Sequence, residues 1–255
     1  MRMRTPITIM TPHEVIPSVI ASAAEGRARP DAGVTELLKL LTFLSPAFPV
    51  GAFSHSHGLE WAIDAGAVRS ADALRLWLLD VLELGSGWTD AVLFVEAYRA
   101  AKAADWPRLR SVAELASALS PSRERHLEAT AQGRAFLDAA LAAWPSPTAR
   151  QLRDRDCATY AVAVSATAAD LGIDVRSVLP AYLNAFVANL VSVGVRLIPI
   201  GQNAGLGVLA ALHPLIAAIA DRAENSTLDD LGAAAVLSDI ASMRHEEQYS
   251  RVFRT

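Results

Sequence analysis

Apolar residues recur at helical spacing along most of this chain, and this period constrains the fold more than any other feature. Clear stripes are Val34, Leu37, Leu38, Leu41 and Leu44, and Leu74, Trp77, Leu78, Val81 and Leu82. Such spacing gives each segment one apolar face when it is helical. No segment shows the alternation of a half-buried strand between turn signals. We therefore predict an all-α fold, a single-domain helical bundle of roughly eight to ten helices.

Prolines, glycines and capping residues set the predicted helix boundaries. Pro46 ends the first helix of the domain. The next helix is expected to begin near Ser54 or Ser56, which are favourable N-cap types. Further predicted boundary residues are Gly66, Ser70, Ser120 with Pro121, and Asp174. Residues 150–171 are rich in alanine and are expected to form one helix in the middle of the bundle, because small side chains let helix axes approach closely.

Bulk composition limits the classes of function. The chain has 255 residues, a net charge of −4 and a pI near 5.9. Because no basic stripe is present to displace counterions, we expect no nucleic-acid partner. The single cysteine, Cys157, excludes an internal disulfide and favours the cytoplasm. No signal peptide is expected, and the apolar run Ala204–Ala220 is short for a bilayer, so we predict a buried core helix there and no membrane contact.

The chain divides into an arm and a domain. Residues 1–33 have no sustained period and contain several prolines, so we predict a mobile N-terminal arm. Residues 34–255 are predicted to form the helical domain. Its C-terminal segment, about residues 238–255, is predicted to bind a partner.

The stretch 44–61, LSPAFPVGAFSHSHGLEW, combines breakers, hydroxyls, imidazoles and aromatic rings. Pro46 and Pro49 cannot lie inside a helix, and Gly58 can adopt backbone angles that other residues resist. The stretch therefore indicates a loop with a defined path. Two interpretations are open, an ordinary helix–helix connector and a binding loop held by rigid helices.

His55 and His57 in this loop are weak candidates for metal ligands. Both rings face one side if the segment is extended, and they diverge by about 200° in a helix. Two histidines lack the third or fourth ligand that transition metals usually take. His245 could supply one ligand if the C-terminal segment folded back. We expect ordinary hydrogen-bonded histidines and no metal site.

Signatures of catalysis are missing from the sequence. It contains no G-x-x-x-x-G-K-[ST] loop, so nucleotide hydrolysis is not expected. Hydroxyls and imidazoles alternate from Ser54 to His57, but neighbours along a chain rarely face each other. The G-x-S-x-G elbow of a serine hydrolase is also absent. We predict a protein without enzymatic activity.

The last twelve residues, RHEEQYSRVFRT, combine arginines with aromatic rings, which are typical of binding hot spots. Tyr249 and Phe253 are four positions apart, so a helical tail would present them as one stripe. A frayed, solvated tail is the alternative. We expect a segment that orders when a partner docks.

Three motifs in order along the chain resemble the urease accessory protein UreF family. They are SPAFPVGAFSHSHGLEWAIDAG (45–66), RLIPIGQNAG (196–205) and HEEQYSRVFRT (245–255). A weaker match runs from Arg123-Glu124-Arg125 to Gln132-Gly133. The resemblance covers about residues 34–255 and departs from the family pattern at His57, Leu206 and Thr255.

The resemblance implies a non-enzymatic, all-α chaperone for nickel insertion into apo-urease. Such proteins are homodimers that bind a UreD/UreH-type scaffold, and the resulting surface recruits the UreG GTPase. The resemblance implies no cofactor of its own, because the partner proteins handle nickel and GTP. The partner-binding residues that it implies, together with those that the composition of the tail suggests, are Phe53, His55, Ser56, Arg244, His245, Tyr249, Ser250, Arg251, Phe253 and Arg254.

Two alternative functions stay open at this point. One is a metallochaperone that itself holds nickel through His55 and His57, with or without His245. The other is a small-molecule enzyme or binding protein with a pocket in the alanine-rich core.

Overall fold

The computed structural model describes residues 31–255. These residues form α-helices and two 3-10 turns without a strand, so the predicted all-α fold is confirmed. The predicted arm, residues 1–33, lies outside the described residues except for its last three. The helices are α1 (Ala32–Phe43), α2 (Leu59–Asp64), α3 (Ala71–Leu84), α4 (Ser86–Lys102), α5 (Trp106–Ala118), α6 (Arg123–Ala143), α7 (Pro147–Asp154), α8 (Tyr160–Asp170), α9 (Val175–Leu197), α10 (Gly201–Glu224) and α11 (Val236–His245).

Contacts divide the chain into two compact units, one ending at Leu38 and one spanning Lys39–Thr255. Of the first unit, the structure describes only the beginning of α1. The second unit contains the other helices and both segments that the sequence suggests for partner binding.

Helices α4 and α8 form the centre of the second unit. Around α4 pack α3, α5, α8, α9 and α10, and α8 also packs against α6, α7 and α9. Every residue of α8 from Ala161 to Ala168 is buried, since alanine and valine side chains permit close neighbours on all sides. On α6, Gly133 faces the backbone of Ala158 and Thr159, which leaves no room for a Cβ atom. The part of the alanine-rich segment that forms α8 therefore lies in the middle of the bundle, whereas residues 150–156 are mostly exposed.

Several predicted boundaries are confirmed by their caps. The Ser70 hydroxyl accepts a hydrogen bond from the backbone N–H of Ala73, and the Asp174 carboxylate accepts one from Arg176. Gly66 follows α2 in a left-handed conformation with φ 76°. These three residues end or begin helices for the reasons that their types predict.

Other predicted boundaries are wrong. Neither Ser54 nor Ser56 starts a helix; α2 begins at Leu59 after Gly58. Helix α6 is capped by Ser122, two positions after the predicted Ser120, because its hydroxyl accepts from the backbone N–H of Arg125. The alanine-rich segment is two helices, α7 and α8, separated by a break at which Asp156 has φ 50°.

By length and composition alone, α9 and α10 could each cross a membrane, which is weak evidence because core helices pass the same test. In the most apolar 18-residue stretch of each helix, 50% is buried in α9 but only 28% in α10. Helix α10 packs against α3, α4 and α9 on one side and is exposed on the other. The prediction of a buried core helix at 204–220 is therefore wrong, since this helix lies at the surface.

Candidate partner-docking face

The loop between α1 and α2 follows a path that requires unusual backbone angles. Gly51, His57 and Gly58 all have positive φ, and the 3-10 turn Ala52–Ser54 lies between them. Gly58 passes so close to α11 that an added Cβ would lie 2.6 Å from the backbone nitrogen of Ser242. Only glycine fits at this position without a shift of α11. The loop is thus held in place against the last helix.

The loop and the end of the chain are joined by backbone hydrogen bonds. Arg254 N–H donates to the Ser54 carbonyl at 2.8 Å, and Ser56 N–H donates to the Thr255 carbonyl. The His55 ring Nδ1 lies 2.6 Å from the Thr255 hydroxyl, across 200 positions of sequence. The two segments singled out in the sequence therefore form one surface, here called the loop–tail face (residues 53–56, Arg196 and residues 249–254).

Glu60, in the first turn of α2, anchors the tail (residues 246–255). Its carboxylate accepts the backbone N–H groups of Val252 at 2.6 Å and Phe253 at 2.9 Å. Its Oε2 also lies 3.0 Å from Nε2 of His245. The residue is only 5% exposed, and a carboxylate buried in this way is stable when its oxygens are fully bonded.

A second carboxylate, Glu124 in the first turn of α6, holds the other side of His245. The His245 ring is 0% exposed, with Nδ1 2.6 Å from Oε2 of Glu124. The two ring nitrogens of His245 thus each face a carboxylate oxygen, one from α2 and one from α6. The other oxygen of Glu124 accepts from Nη1 of Arg251 at 2.7 Å. This ion-paired cluster fixes α2, α6, α11 and the tail relative to one another.

Arg196, at the end of α9, brings the third sequence motif to the same face. Its Nη1 donates to the Phe53 carbonyl at 3.1 Å. Its guanidinium lies over the ring of Phe253, 4.4 Å from the centroid, in a cation–π contact. Phe253 is 3% exposed and belongs to the hydrophobic core. The motifs at 45–66, 196–205 and 245–255 therefore meet in one place.

His57 belongs to a separate polar cluster beneath this face. Its Nδ1 lies 3.2 Å from Oε1 of Glu128, and its Nε2 lies 2.7 Å from the Ser86 hydroxyl. Glu128 is also bonded by Arg125 and by Gln132. His57 is 4% exposed, so this serine–histidine–carboxylate chain connects the loop to α4 and α6. The serine in this chain is Ser86 and not one of the two neighbours of the histidines considered in the sequence, because the Ser54 hydroxyl donates to the Gly51 carbonyl and the Ser56 hydroxyl has no hydrogen-bond partner among the described residues.

Electrostatics make His55 a structural residue. Burial lowers the pKa of His55; the Glu128 charge raises it, and the Arg254 charge lowers it further. The Asn189 amide donates to the His55 carbonyl at 3.3 Å. At neutral pH we therefore expect a neutral ring that is fixed by its hydrogen bonds.

Asp90 on α4 is a further perturbed group. Burial raises the pKa of Asp90 to about 7; the hydrogen bond from the Tyr182 hydroxyl lowers it, and the Glu128 charge raises it. The Tyr182 hydroxyl oxygen lies 3.0 Å from Oδ2 of Asp90. Asp90 therefore holds a proton over a range in which an exposed aspartate does not.

The predicted partner-binding residues divide by exposure. Exposed are Phe53, Arg244, Tyr249, Ser250, Arg251 and Arg254, and buried are His55, Ser56, His245 and Phe253. In this conformation the four buried residues hold the loop and the tail in place, and the six exposed residues are the ones that a partner could reach. Contact of any of these ten residues with a partner stays a prediction.

The tail is not helical, so the condition under which Tyr249 and Phe253 would form one stripe is not met. Helix α11 ends at His245, and the tail continues without helical structure. Tyr249 is fully exposed whereas Phe253 is buried, so the two rings share no apolar stripe. The residues from Arg251 to Thr255 bond to α2, α6 and the loop of their own chain. Ordering of the tail by a partner stays a prediction.

Sequence reasoning missed Glu60 and Arg196, and it gave Glu124 only a weak motif match. All three lie inside the matched motifs, so motif membership was the available signal. Their partners could not be read from the sequence, because each contact joins segments more than 120 positions apart.

The residues from 31 to 255 contain no group of three histidine, cysteine, aspartate or glutamate side chains placed to hold a metal ion. His55, His57 and His245 each bond to different groups, namely Thr255, Glu128 with Ser86, and the two glutamates Glu60 and Glu124.

Comparison with known proteins finds similarity to one family along most of the chain. The family model described as UreF matches residues 68–213. A urease accessory protein UreF of Rhodopseudomonas palustris (strain BisB5) is 52% identical over 222 residues, covering 86% of this chain and 91% of the relative. One from Bradyrhizobium sp. (strain BTAi1) is 49% identical over 238 residues, covering 91% and 99%. One from Bradyrhizobium diazoefficiens is 46% identical over 249 residues, covering 97% and 100%.

Proposed function

Because the chain belongs to the urease accessory protein UreF family, we propose that it acts in urease maturation as an adaptor between a UreD/UreH-type scaffold and the UreG GTPase. In this role it assists nickel insertion into apo-urease without catalysing a reaction. Nickel and GTP are handled by the partners, and the site of action is the cytoplasm, as the single cysteine favours.

The observation that carries this proposal is the loop–tail face. Backbone hydrogen bonds join the loop to the tail, and the buried carboxylates of Glu60 and Glu124 hold the tail to α2 and α6. The face exposes Phe53, Tyr249 and Val252 at 69%, 105% and 74%. Exposed arginines, Arg251 and Arg254, lie in the same tail. Exposed aromatic and aliphatic side chains together with arginines are typical of protein-binding surfaces.

Removal of the Phe53 side chain tests the adaptor role directly. The ring is mostly exposed, so Phe53→Ala should leave the thermal stability nearly unchanged. A hot-spot aromatic residue typically contributes about 2 kcal/mol or more to binding. The variant should therefore bind at least one of the two proposed partners, UreD or UreG, roughly 30-fold more weakly. The measurement is co-expression with UreD and UreG of the same organism, followed by size-exclusion chromatography and titration of the purified components.

Leu119→Ala is the matched control, because Leu119 is an exposed apolar residue at the end of α5. It should bind as the wild type does. If Phe53→Ala and a chain lacking residues 246–255 both recover the full complex, the adaptor proposal is refuted.

We also propose that the chain is a homodimer that uses the exposed face of α10. This helix has no aspartate, glutamate, lysine or arginine from residue 202 to 220, which is unusual for a face in contact with water. The exposed residues include Leu206, which is 66% exposed. Ala210→Arg should give monomers by light scattering, whereas Ala142→Arg, at an exposed alanine of α6, should not. Dimers in both variants would exclude this face.

A further inference from the structure

Two arginines without acidic partners lie next to Phe53. Arg196 donates to the Phe53 carbonyl, and the backbone of Arg254 donates to the Ser54 carbonyl. Both arginine residues are exposed. Within the described part of the chain, neither forms an ion pair. Their charges are therefore available to a molecule that covers Phe53.

The carboxylates that contact the loop–tail face do not cancel these charges. Glu60 is buried and occupied by two tail amides and His245. Glu124 is also buried and is occupied by His245 and Arg251. Arg196 and Arg254 thus add two positive charges without ion-pair partners among residues 31–255 to this face, on a chain whose net charge is −4. Complementarity therefore favours an acidic surface as the occupant.

The Arg196 guanidinium is already fixed in an orientation in which it could bind a carboxylate. Its guanidinium is fixed over the Phe253 ring and by hydrogen bonds to the carbonyls of Phe53 and Ser192. A planar guanidinium that is already ordered loses little entropy on pairing with a carboxylate, which it can bind in a bidentate manner. This arrangement suits recognition of a fixed carboxylate better than loose attraction to negative charge.

We infer that Arg196 and Arg254 bind carboxylate side chains of an acidic protein surface, with Phe53 inserted into an apolar depression beside those carboxylates. The inference rests on the proposed adaptor function and adds the chemistry of the partner's surface. Arginine and aromatic residues together form the energetic centre of many interfaces, and the carboxylates supply both orientation and salt-dependent attraction.

Charge reversal tests this inference. The probes are the UreD and UreG proteins of the same organism, and the affinity of the chain for each is measured by biolayer interferometry at 50 and 500 mM NaCl. Arg254→Glu should weaken binding to one of them by at least roughly 30-fold, and Arg254→Gln by about 10-fold. The wild-type affinity should fall with salt, and that of the double variant Arg196→Gln/Arg254→Gln should change much less.

Arg150→Glu is the control, since Arg150 is exposed on α7 and away from this face in sequence and in its contacts. It should bind as the wild type does. Melting curves of each variant show whether loss of the Arg196 contact with Phe253 has disturbed the tail.

The outcomes separate the two proposals. If the wild-type chain binds neither protein, the adaptor function fails. If the wild type binds and Phe53→Ala does not, but Arg254→Glu binds normally at both salt concentrations, the adaptor function stands and the carboxylate inference is overturned. The carboxylate inference is also overturned if Arg196 and Arg254 are needed for binding to phosphatidylcholine/phosphatidylglycerol vesicles but not for binding to UreD or UreG.

Discussion

Replacement of Glu60 by alanine should release the tail from the rest of the domain. The substitution removes the acceptor for the backbone N–H groups of Val252 and Phe253, at 2.6 and 2.9 Å, and one of the two carboxylates that flank His245. A hydrogen bond to a charged group contributes about 1.5–3 kcal/mol. At about 1.5 kcal/mol for each bond, the two bonds together stabilise the docked tail by about 3 kcal/mol. Any loss at His245 would add to this value.

Hydrogen exchange measures this loss at the affected amides. Since 1.4 kcal/mol is a factor of ten, the amides of Val252 and Phe253 should exchange about 100-fold faster in Glu60→Ala. The amides of α8 lie in the core and should keep their protection. Glu60→Gln should be intermediate, because its amide has a single acceptor oxygen.

The matched control is Glu247→Ala, which removes an exposed glutamate from the same tail. Its exchange rates should stay within about twofold of the wild type. If Glu60→Ala leaves Val252 and Phe253 as protected as in the control, Glu60 does not anchor the tail and the account of this face is incorrect.

Three further predictions concern the core and its pH dependence. Phe253→Ala should destabilise the protein by about 3–5 kcal/mol in urea titrations, because the ring is buried, whereas the fully exposed Tyr249→Ala should be neutral. Gly133→Ala should lower the melting temperature by several degrees, since its Cβ would meet the backbone of Thr159. The pKa of Asp90 is raised to about 7, so the folded state binds this proton more tightly than the unfolded state does. Stability should therefore fall as the pH rises from about 4 to 7, by up to about 1.4 kcal/mol per pH unit, and Asp90→Asn should remove this slope.

The fold class could be predicted from the sequence because helical period and capping are local properties. Ser70 and Asp174 cap their helices as their residue types indicate. The boundaries that were wrong depend on tertiary contacts. Ser56, for example, is a good N-cap type, but its backbone N–H bonds to Thr255 instead of opening a helix. Helix α2 consequently starts at Leu59.

The candidate site could be located from its composition, but its internal structure could not. Arginine and aromatic residues in the tail indicated a binding surface, and the exposed positions of Arg251 and Tyr249 are compatible with that interpretation. No pattern in the sequence distinguished Phe253, which is buried, from Tyr249, which is exposed. That difference depends on Glu60 and Arg196, which belong to other helices.

The bonds between residues 54–60 and 251–255 have a consequence for biosynthesis. A nascent polypeptide cannot complete this surface until almost 200 further residues have left the ribosome, as the span of 192 positions between Glu60 and Val252 requires. A translation product that stops before residue 251 therefore lacks the hydrogen bonds to Ser54 and Glu60 and the ring contact with Arg196. If the proposed adaptor function holds, a truncated product would lack the docking face and would be left out of the complex without a separate proofreading factor.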